Sequence, residues 1–536
     1  MKKIYGYAAL FAAMSLASCS SDNEPNVTLG EAETGYIGIK IAAPGSLTRA
    51  TADEIGTDAE SDVTNALLVV FDKDSKEVID FKTFVPEKWV AGAADSDITK
   101  YSENTVKVDI PEGKAVGEVI CVLNPGSLSF TKVTDNLTTV RKKIADFSST
   151  KSGEFVMSSS AYGETPVYTT DFSNAVKPTK EEAQAAAQNI YVERVLAKAT
   201  YTFVTDFAVD ELKQSIDGTE TELDIVITGI EMANEASETY LVKDIDKNSG
   251  WPTFSVAGFN AFGTYRSHWA DPTTTLATNL NNQKYDDIVK GFAMNEGKKS
   301  EPIYLYENTL NTKGQNTAVL VTAQLCKKGT TDGVTIYLLG YNNKYYGEEG
   351  IHNQVANMLY DDDYRKKDGE NWVKIEPTDI SFVAAPTDGN TARAAYQGYA
   401  QVDDTLTLGV YDAATGTYTE KEAATVNNEI KDAVAFSDSK IKYWVQKWDN
   451  GKCYYYKDVN ADEVGVPGIV RNHVYNLTLN GVGGMGTPIF DPENPIIPED
   501  PDPFDPGTPN ESYLSAKINI LNWTVYTQSV NFGTHE

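Results

Sequence analysis

Histidine is scarce in this chain: only His268, His352, His473 and His535 occur in 536 residues. None stands in an H-E-x-x-H pair, and neither a Walker loop nor a nucleophile elbow is present, so the chemistries built on those constellations are excluded. Asp244, Asp246 and Asn248 before Gly250 imitate part of a calcium loop, but the glycine is one place late and no Glu closes the site. Asp361-Asp362-Asp363 reads as a solvated turn. The chain is therefore expected to be non-catalytic, with no cofactor and no metal. Positive charge is also short, 46 Lys and Arg against 77 Asp and Glu, a formal charge of −31. Such a surface repels nucleic acid and anionic lipid, which excludes polyanions as partners. Beyond the first twenty residues no apolar run approaches the ~20 needed to cross a bilayer as a helix.

What is present favours strands. Hydrophobic residues make up 41%, with 30 Tyr and 19 Phe, a composition suited to half-buried sheets. A chain of this length exceeds one ordinary core, and two β-rich domains fit it better.

The first residues read as a targeting segment. Lys2 and Lys3 form a charged start, residues 5–16 an apolar stretch, and Leu16-Ala17-Ser18-Cys19 a lipobox in which Cys19 supplies the thiol for lipidation. With Cys19 acylated, Cys121, Cys326 and Cys453 are left, an odd and widely spaced set that writes no disulfide framework. Each lies in an apolar or aromatic stretch, so buried structural thiols are expected.

The first strand pattern is Tyr36-Ile37-Gly38-Ile39-Lys40-Ile41, with Ile37, Ile39 and Ile41 on one face. After it, residues 44–51 are small and polar and contain the Arg49-Ala50 bond, the composition of a protease-accessible loop. Residues 65–71 and 116–123 read as buried strands joined to charged turns such as Asp72-Lys73-Asp74. Residues 134–147 suit a short helix, and Thr179 with Glu182 suggests a capping box for a second one running through residues 183–187. Residues 190–204 read as one long strand, with the domain change near 205–215. Further strands are expected at 223–232, 317–325, 334–339 and 469–479. The clearest hairpin joins residues 443–448 to 452–456 through Asp449-Asn450-Gly451, where Asn-Gly supplies positive φ.

The end of the chain is the most informative. Residues 483–509 carry eight prolines interleaved with Asp and Glu, the composition of an extended spacer that stays out of sheets. Alternation then resumes: Leu514, Ala516, Ile518 and Ile520 share a face, followed by Trp523 and Val525, then Val530 and Phe532. An apolar strand on a tether either folds back onto its own domain or inserts into a partner.

The lipobox, the strand before Arg49-Ala50, the stretch 192–199, the run Arg471-Asn472-His473-Val474-Tyr475-Asn476-Leu477 and the terminal Ile518-Asn519-Ile520-Leu521-Asn522-Trp523 together resemble a Bacteroidales fimbrilin. The likeness is to the shaft subunit of the short (minor) fimbria, a type V pilus. The acidic Ser20-Ser21-Asp22-Asn23-Glu24 likewise resembles the surface-export signal of lipoproteins in that phylum. The resemblance implies two transthyretin-like β-sandwich domains with a few short helices and a tethered C-terminal strand. In these terms residues 1–19 are the signal peptide and 20–49 a propeptide with a removable strand. Residues 50–210 and 211–482 are the two domains, 483–510 the linker and 511–536 the donor segment.

The resemblance further implies lipidation at Cys19 and export to the outer membrane. Cleavage of Arg49-Ala50 by an Arg-specific trypsin-like protease would then remove the strand at Tyr36, Ile37, Ile39 and Ile41. Its place would be taken by residues 514–532 of the next subunit in a cell-surface fimbria. Expected partners are identical subunits, accessory and anchor subunits, the protease, and the lipid anchor before cleavage. An accessory tip or anchor subunit is the second reading. A surface glycan-binding lipoprotein using Trp444, Trp448, Tyr454, Tyr455 and Tyr456 as stacking platforms is the third.

Overall fold

The computed structural model describes residues 33–44, 60, 62–91, 98–145, 154–160, 170–242, 280–308, 315–339, 344–385, 397–433, 439–459, 468–469, 471–498 and 513–522. Of the described residues 52% lie in strands and 14% in helices, all of them short, so the fold is mostly β.

The N-terminal half forms a ten-stranded sheet. Its main path runs Val78–Phe84, Ala66–Asp72, Val116–Leu123, Met157–Ser159, Gln188–Arg194, Glu33–Pro44, Ile98–Ile110 and Val90–Ala91. Residues far apart on that path, such as Val69 and Phe71 at one end and Ile37 and Ile39 towards the other, share one buried cluster. The sheet therefore wraps around its own core. Ala66–Asp72 is buried along its whole length, as its unbroken apolar run requires of a strand covered on both faces.

The C-terminal half packs a four-stranded sheet on a second ten-stranded sheet. Ala199, Phe203, Leu477 and Leu479 of the first meet Val319, Val321, Leu338 and Tyr455 of the second in one core. On the opposite face of the larger sheet, helices Glu348–Asp361 and Ala423–Lys431 bury Ile351, Val355, Val426 and Ile430 against Tyr337, Leu339 and Trp444.

Several sequence readings need correction. The long strand over 190–204 breaks at Val195, whose N–H reaches back to Val156 O at 3.1 Å. Gln188–Arg194 stays in the first sheet while Leu196–Val209 runs in the second, so a single apolar pattern serves two cores. The helix over 134–147 is limited to Leu137–Arg141, capped by Asn136, and is followed by a two-residue strand at Ile144–Ala145. The helix after Thr179 is present as Lys180–Ala185, with the Thr179 hydroxyl accepting from Glu182 N at 3.2 Å.

The hairpin at 443–456 has the expected turn, with Asn450 at φ 50° and Gly451 at φ 76°. Its arms, however, do not pair with each other. Trp444–Trp448 pairs with Ile336–Leu339 and Gly398–Val402, whereas Lys452–Asp458 pairs with Ala318–Lys327. The turn chemistry was local and the pairing was decided by the sheet.

The proline-rich segment also departs from a free spacer. Thr487–Pro488 pairs with Lys452–Asp458 as an edge strand, the place in a sheet where a residue without N–H is tolerated, and Ile489 and Ile496 are buried with Leu320 and Tyr454. Asp362 is likewise engaged, accepting from the Tyr443 hydroxyl at 2.8 Å.

Two buried ion pairs lie near the strand break at Val195. Lys198 meets Glu60 at 2.9 Å, with side chains 3% and 1% exposed, and Tyr304 Oη donates to Glu60 Oε1 at 2.6 Å. Arg471, fully buried, meets Glu307 at 3.0 Å and donates to Tyr240 O, Thr239 Oγ1 and Leu241 O. Residues 239–241 thereby bind the start of strand His473–Gly483.

Breaking such a pair strands a charge, so Glu307→Ala is expected to cost about 3–5 kcal/mol in denaturant unfolding. A second prediction concerns Asp72. Burial pushes its carboxyl up, but N–H donors from Ser75 and Ala115, the Ser75 hydroxyl and the Lys114 ammonium outweigh burial and hold it at about 2. A depressed folded value means that the charged form stabilises the fold. That contribution is complete above the unfolded value of 3.8 and is lost as pH falls through about 2. Asp72→Asn is expected to lose about 1–2 kcal/mol at neutral pH, and its unfolding curve should converge with the parent's at the acid end of that window.

Candidate functional site

Strand Glu33–Pro44 occupies the middle of the first sheet. Along one edge it pairs antiparallel with Ile98–Ile110, from Glu33 opposite Ile110 to Pro44 opposite Ile98. Along the other edge it has two neighbours in succession. Val176–Lys177 runs antiparallel beside Tyr36 and Ile37, and Gln188–Arg194 runs parallel from Ile39 to Ala42. Ile37, Ile39 and Ile41 are 0% exposed and belong to the main N-terminal core. Burial of three such side chains is worth roughly 1.5–3 kcal/mol each.

The opposite face is covered as well. The chain between the two flanking strands is helix Lys180–Ala185, which lies directly over Gly38. A Cβ placed on Gly38 would meet Ala183 O at 1.8 Å, and one on Gly35 would meet Val176 Cγ1 at 2.1 Å. Glycine is therefore required for this close backbone approach. Next along the same face, the Lys40 ammonium lies 3.2 Å from the Glu103 carboxylate and 3.8 Å from the centre of the Tyr101 ring. Lys40 and Glu103 are direct cross-strand partners. The site is a slot paired along both edges, buried against the core on one face and covered at Gly38 by helix Lys180–Ala185 on the other, where Tyr36 and Lys40 stay half-buried; withdrawing its strand would leave an apolar channel with unpaired backbone on each side.

The last strand, Tyr513–Asn522, lies elsewhere. It pairs antiparallel with His473–Gly483, from Gly483 opposite Tyr513 to His473 opposite Asn522, with an irregularity between Leu479 and Gly481. It forms an outer strand of the four-stranded sheet. Of the two fates open to a tethered strand, the structure holds this one folded back on its own chain. Leu514, Ala516, Ile518 and Ile520 lie in this strand, whereas Trp523, Val525, Val530 and Phe532 are outside the described residues, as are Cys19, Arg49 and Ala50.

The aromatic residues considered as glycan platforms belong to the core. Trp444 and Trp448 are fully buried, with indole N–H groups donating to Ile430 O and Met485 O, and Tyr454 and Tyr455 are buried beside them in sequence. Cys121, Cys326 and Cys453 are buried free thiols, and desolvation pushes the Cys121 thiol up to about 12. His473 is buried with Nδ1 2.9 Å from Arg471 O. Among the described residues no cluster of His, Cys, Asp and Glu could hold a metal. The Gly38 contact and the Lys40–Glu103 pair escaped sequence reading, although glycine between isoleucines was a local sign of close approach.

Gly38→Leu is expected to destabilise the N-terminal half by about 1–3 kcal/mol through overpacking. Lys40→Gln, which loses a half-exposed pair, should shift stability by at most about 1 kcal/mol. Hydrogen exchange of the amides in Ile98–Ile110 reads both.

No curated protein matches the chain. Among solved structures it is similar to a candidate cell adhesion protein from Parabacteroides distasonis, with 12% identity and a TM-score of 0.37 over 93% of this chain and 98% of that one. A candidate cell adhesion protein from Bacteroides eggerthii gives 10% identity and 0.34 over 95% and 100%. The tip fimbrial protein of Porphyromonas gingivalis with C-terminal truncation gives 10% and 0.28 over 91% and 100%. At scores and identities this low the likenesses carry no argument. The sequence match is firmer and covers both the strand His473–Gly483 and its partner Tyr513–Asn522: residues 446–529 match the fimbrillin C-terminal family, described as major fimbrial subunit protein type IV.

Proposed function

We propose that this chain is a structural subunit that polymerises head-to-tail into the shaft of a cell-surface fimbria used for adhesion. Proteolysis at Arg49-Ala50 triggers assembly. The observation that carries the reading is the slot itself: a strand with one apolar face, ending at Pro44, five residues before Arg49, fills a channel paired along both edges and buried on its core face. Strands inside a sheet do not leave spontaneously, because both ladders and the apolar face would be lost together. Cutting the loop after it uncouples the strand from the rest of the sheet, so that it can be lost and replaced.

The match of residues 446–529 to a fimbrial subunit family supports the reading. The replacement comes from the C-terminal strand of another copy, which now caps a sheet edge of its own chain. A subunit that offers a slot at one end and a strand at the other makes a heterologous contact that does not close, and such contacts build filaments. In this scheme Cys19 is lipidated and carries the precursor to the outer membrane. Residues 20–49 form the removed propeptide, the first domain runs from residue 50 to the strand break at Val195, the second from Leu196 to 482, and the proline-rich segment 483–510, docked as far as Ile496, leads to the donor in 511–536. Catalysis has no part in it. A tip or anchor role is the second reading, in which the last strand keeps the folded-back position it has on His473–Gly483.

Protein beginning at Ser20 is cut with an Arg-specific trypsin-like protease and examined by N-terminal sequencing and SDS-resistant laddering, beside a chain ending at Pro509. The expected result is a new terminus at Ala50 in both and a ladder in the longer chain alone. Monomers from both after cleavage at Ala50 would reject the shaft role in favour of an accessory one.

A further inference from the structure

The slot imposes a different demand at each position of its strand. Positions 37, 39 and 41 face the core and must be apolar. Position 38 lies under Ala183 O and must be small. Position 40 faces the Glu103 carboxylate and the Tyr101 ring, a setting for a cation. Position 36 is a half-buried tyrosine beside Lys177.

We infer that the last strand is a register-matched replacement. Tyr513-Leu514-Ser515-Ala516-Lys517-Ile518 of one copy takes the places of Tyr36-Ile37-Gly38-Ile39-Lys40-Ile41 in the next, in the same direction. This rests on the strand-exchange reading above and assigns its register. Tyrosine, lysine and the final isoleucine are the same in both segments. Leu514 stands for Ile37, and Ser515 stands at the glycine position. Lys517 then faces Glu103.

Other registers fail on named contacts. A slip of one residue turns Ser515 and Lys517 into the core. A slip of two in one direction places Lys517 under the Ala183 carbonyl and leaves Glu103 opposite Asn519. A slip of two in the other direction places Tyr513 under the same helix. The matched register makes two demands of its own. A seryl Cβ has no room at position 38 until helix Lys180–Ala185 moves outward, after which its hydroxyl can donate to Ala183 O. Ala516 under-fills the pocket of Ile39. In the folded-back state the same six residues pair along the backbone from Gly483 to Leu477, with Lys517 opposite Thr478, so exchange gives the lysine position Glu103 as its new cross-strand neighbour.

Directly opposed residues of an antiparallel pair are within disulfide reach, and the buried native thiols give little background. The chain from Ser20 carrying Glu103→Cys and Lys517→Cys is cut, allowed to assemble, oxidised and run without reductant. A covalent ladder is expected. Glu103→Cys with Asn519→Cys, which reports the two-residue slip, should give none. Polymers cross-linked through Asn519→Cys, or through neither pair, overturn the register while strand exchange stands. Failure of the cut parent chain to polymerise at all defeats strand exchange itself. A second variant, Ala516→Ile, should fill the Ile39 pocket and slow dissociation of the ladder about tenfold or more. An unchanged dissociation rate would overturn the register even if the cysteine chains did not assemble.

Discussion

Enclosure of the first strand is the constraint on which the N-terminal half depends. Ile37, Ile39 and Ile41 supply one face of its core, Ile98–Ile110 takes its hydrogen bonds along one edge, and Val176–Lys177 with Gln188–Arg194 share the other. The helix between those two short strands exists because the chain must cross from an antiparallel partner to a parallel one. That crossing passes over Gly38, where only glycine allows the Ala183 carbonyl so close. A strand held this way contributes far more than its three isoleucines. Its loss also unpairs the backbone of every neighbour, and unpaired buried N–H and C=O groups are costly.

The two halves are coupled through charge as well as through chain continuity. Gln188–Arg194 and Leu196–Val209 hand one apolar run from core to core, and the buried pairs Lys198–Glu60 and Arg471–Glu307 lie beside that handover. Each ion is desolvated and is tolerated because its remaining valences are filled, as with the Arg471 guanidinium on three acceptors from residues 239–241. Glu60 lies eleven residues after Arg49 in the chain.

Short-range signals were read correctly where their cause was local. The cap at Thr179, the positive φ at Asn450 and Gly451, and the alternation of Ile37, Ile39 and Ile41 depend on a few neighbouring residues. Readings that required knowledge of a partner went astray. The arms around Asn450-Gly451 looked like a hairpin but pair with other strands, since the buried Trp444 and Trp448 are placed by two different surroundings. Prolines 488 and 495 argued for a free tether, yet Ile489 and Ile496 between and after them found a hydrophobic seat.

Composition and pattern by themselves determined a mostly β chain of acidic surface, the apolar face of the first strand and the alternation of the last. These follow from side-chain period and charge, which need no partner to be legible. Only the tertiary structure decided that the first strand lies mid-sheet under a helix, that its single lysine faces Glu103, and that the last strand rests on His473–Gly483. Those outcomes depend on contacts between residues distant in the chain, and the period of a strand carries no information about which edge it will join.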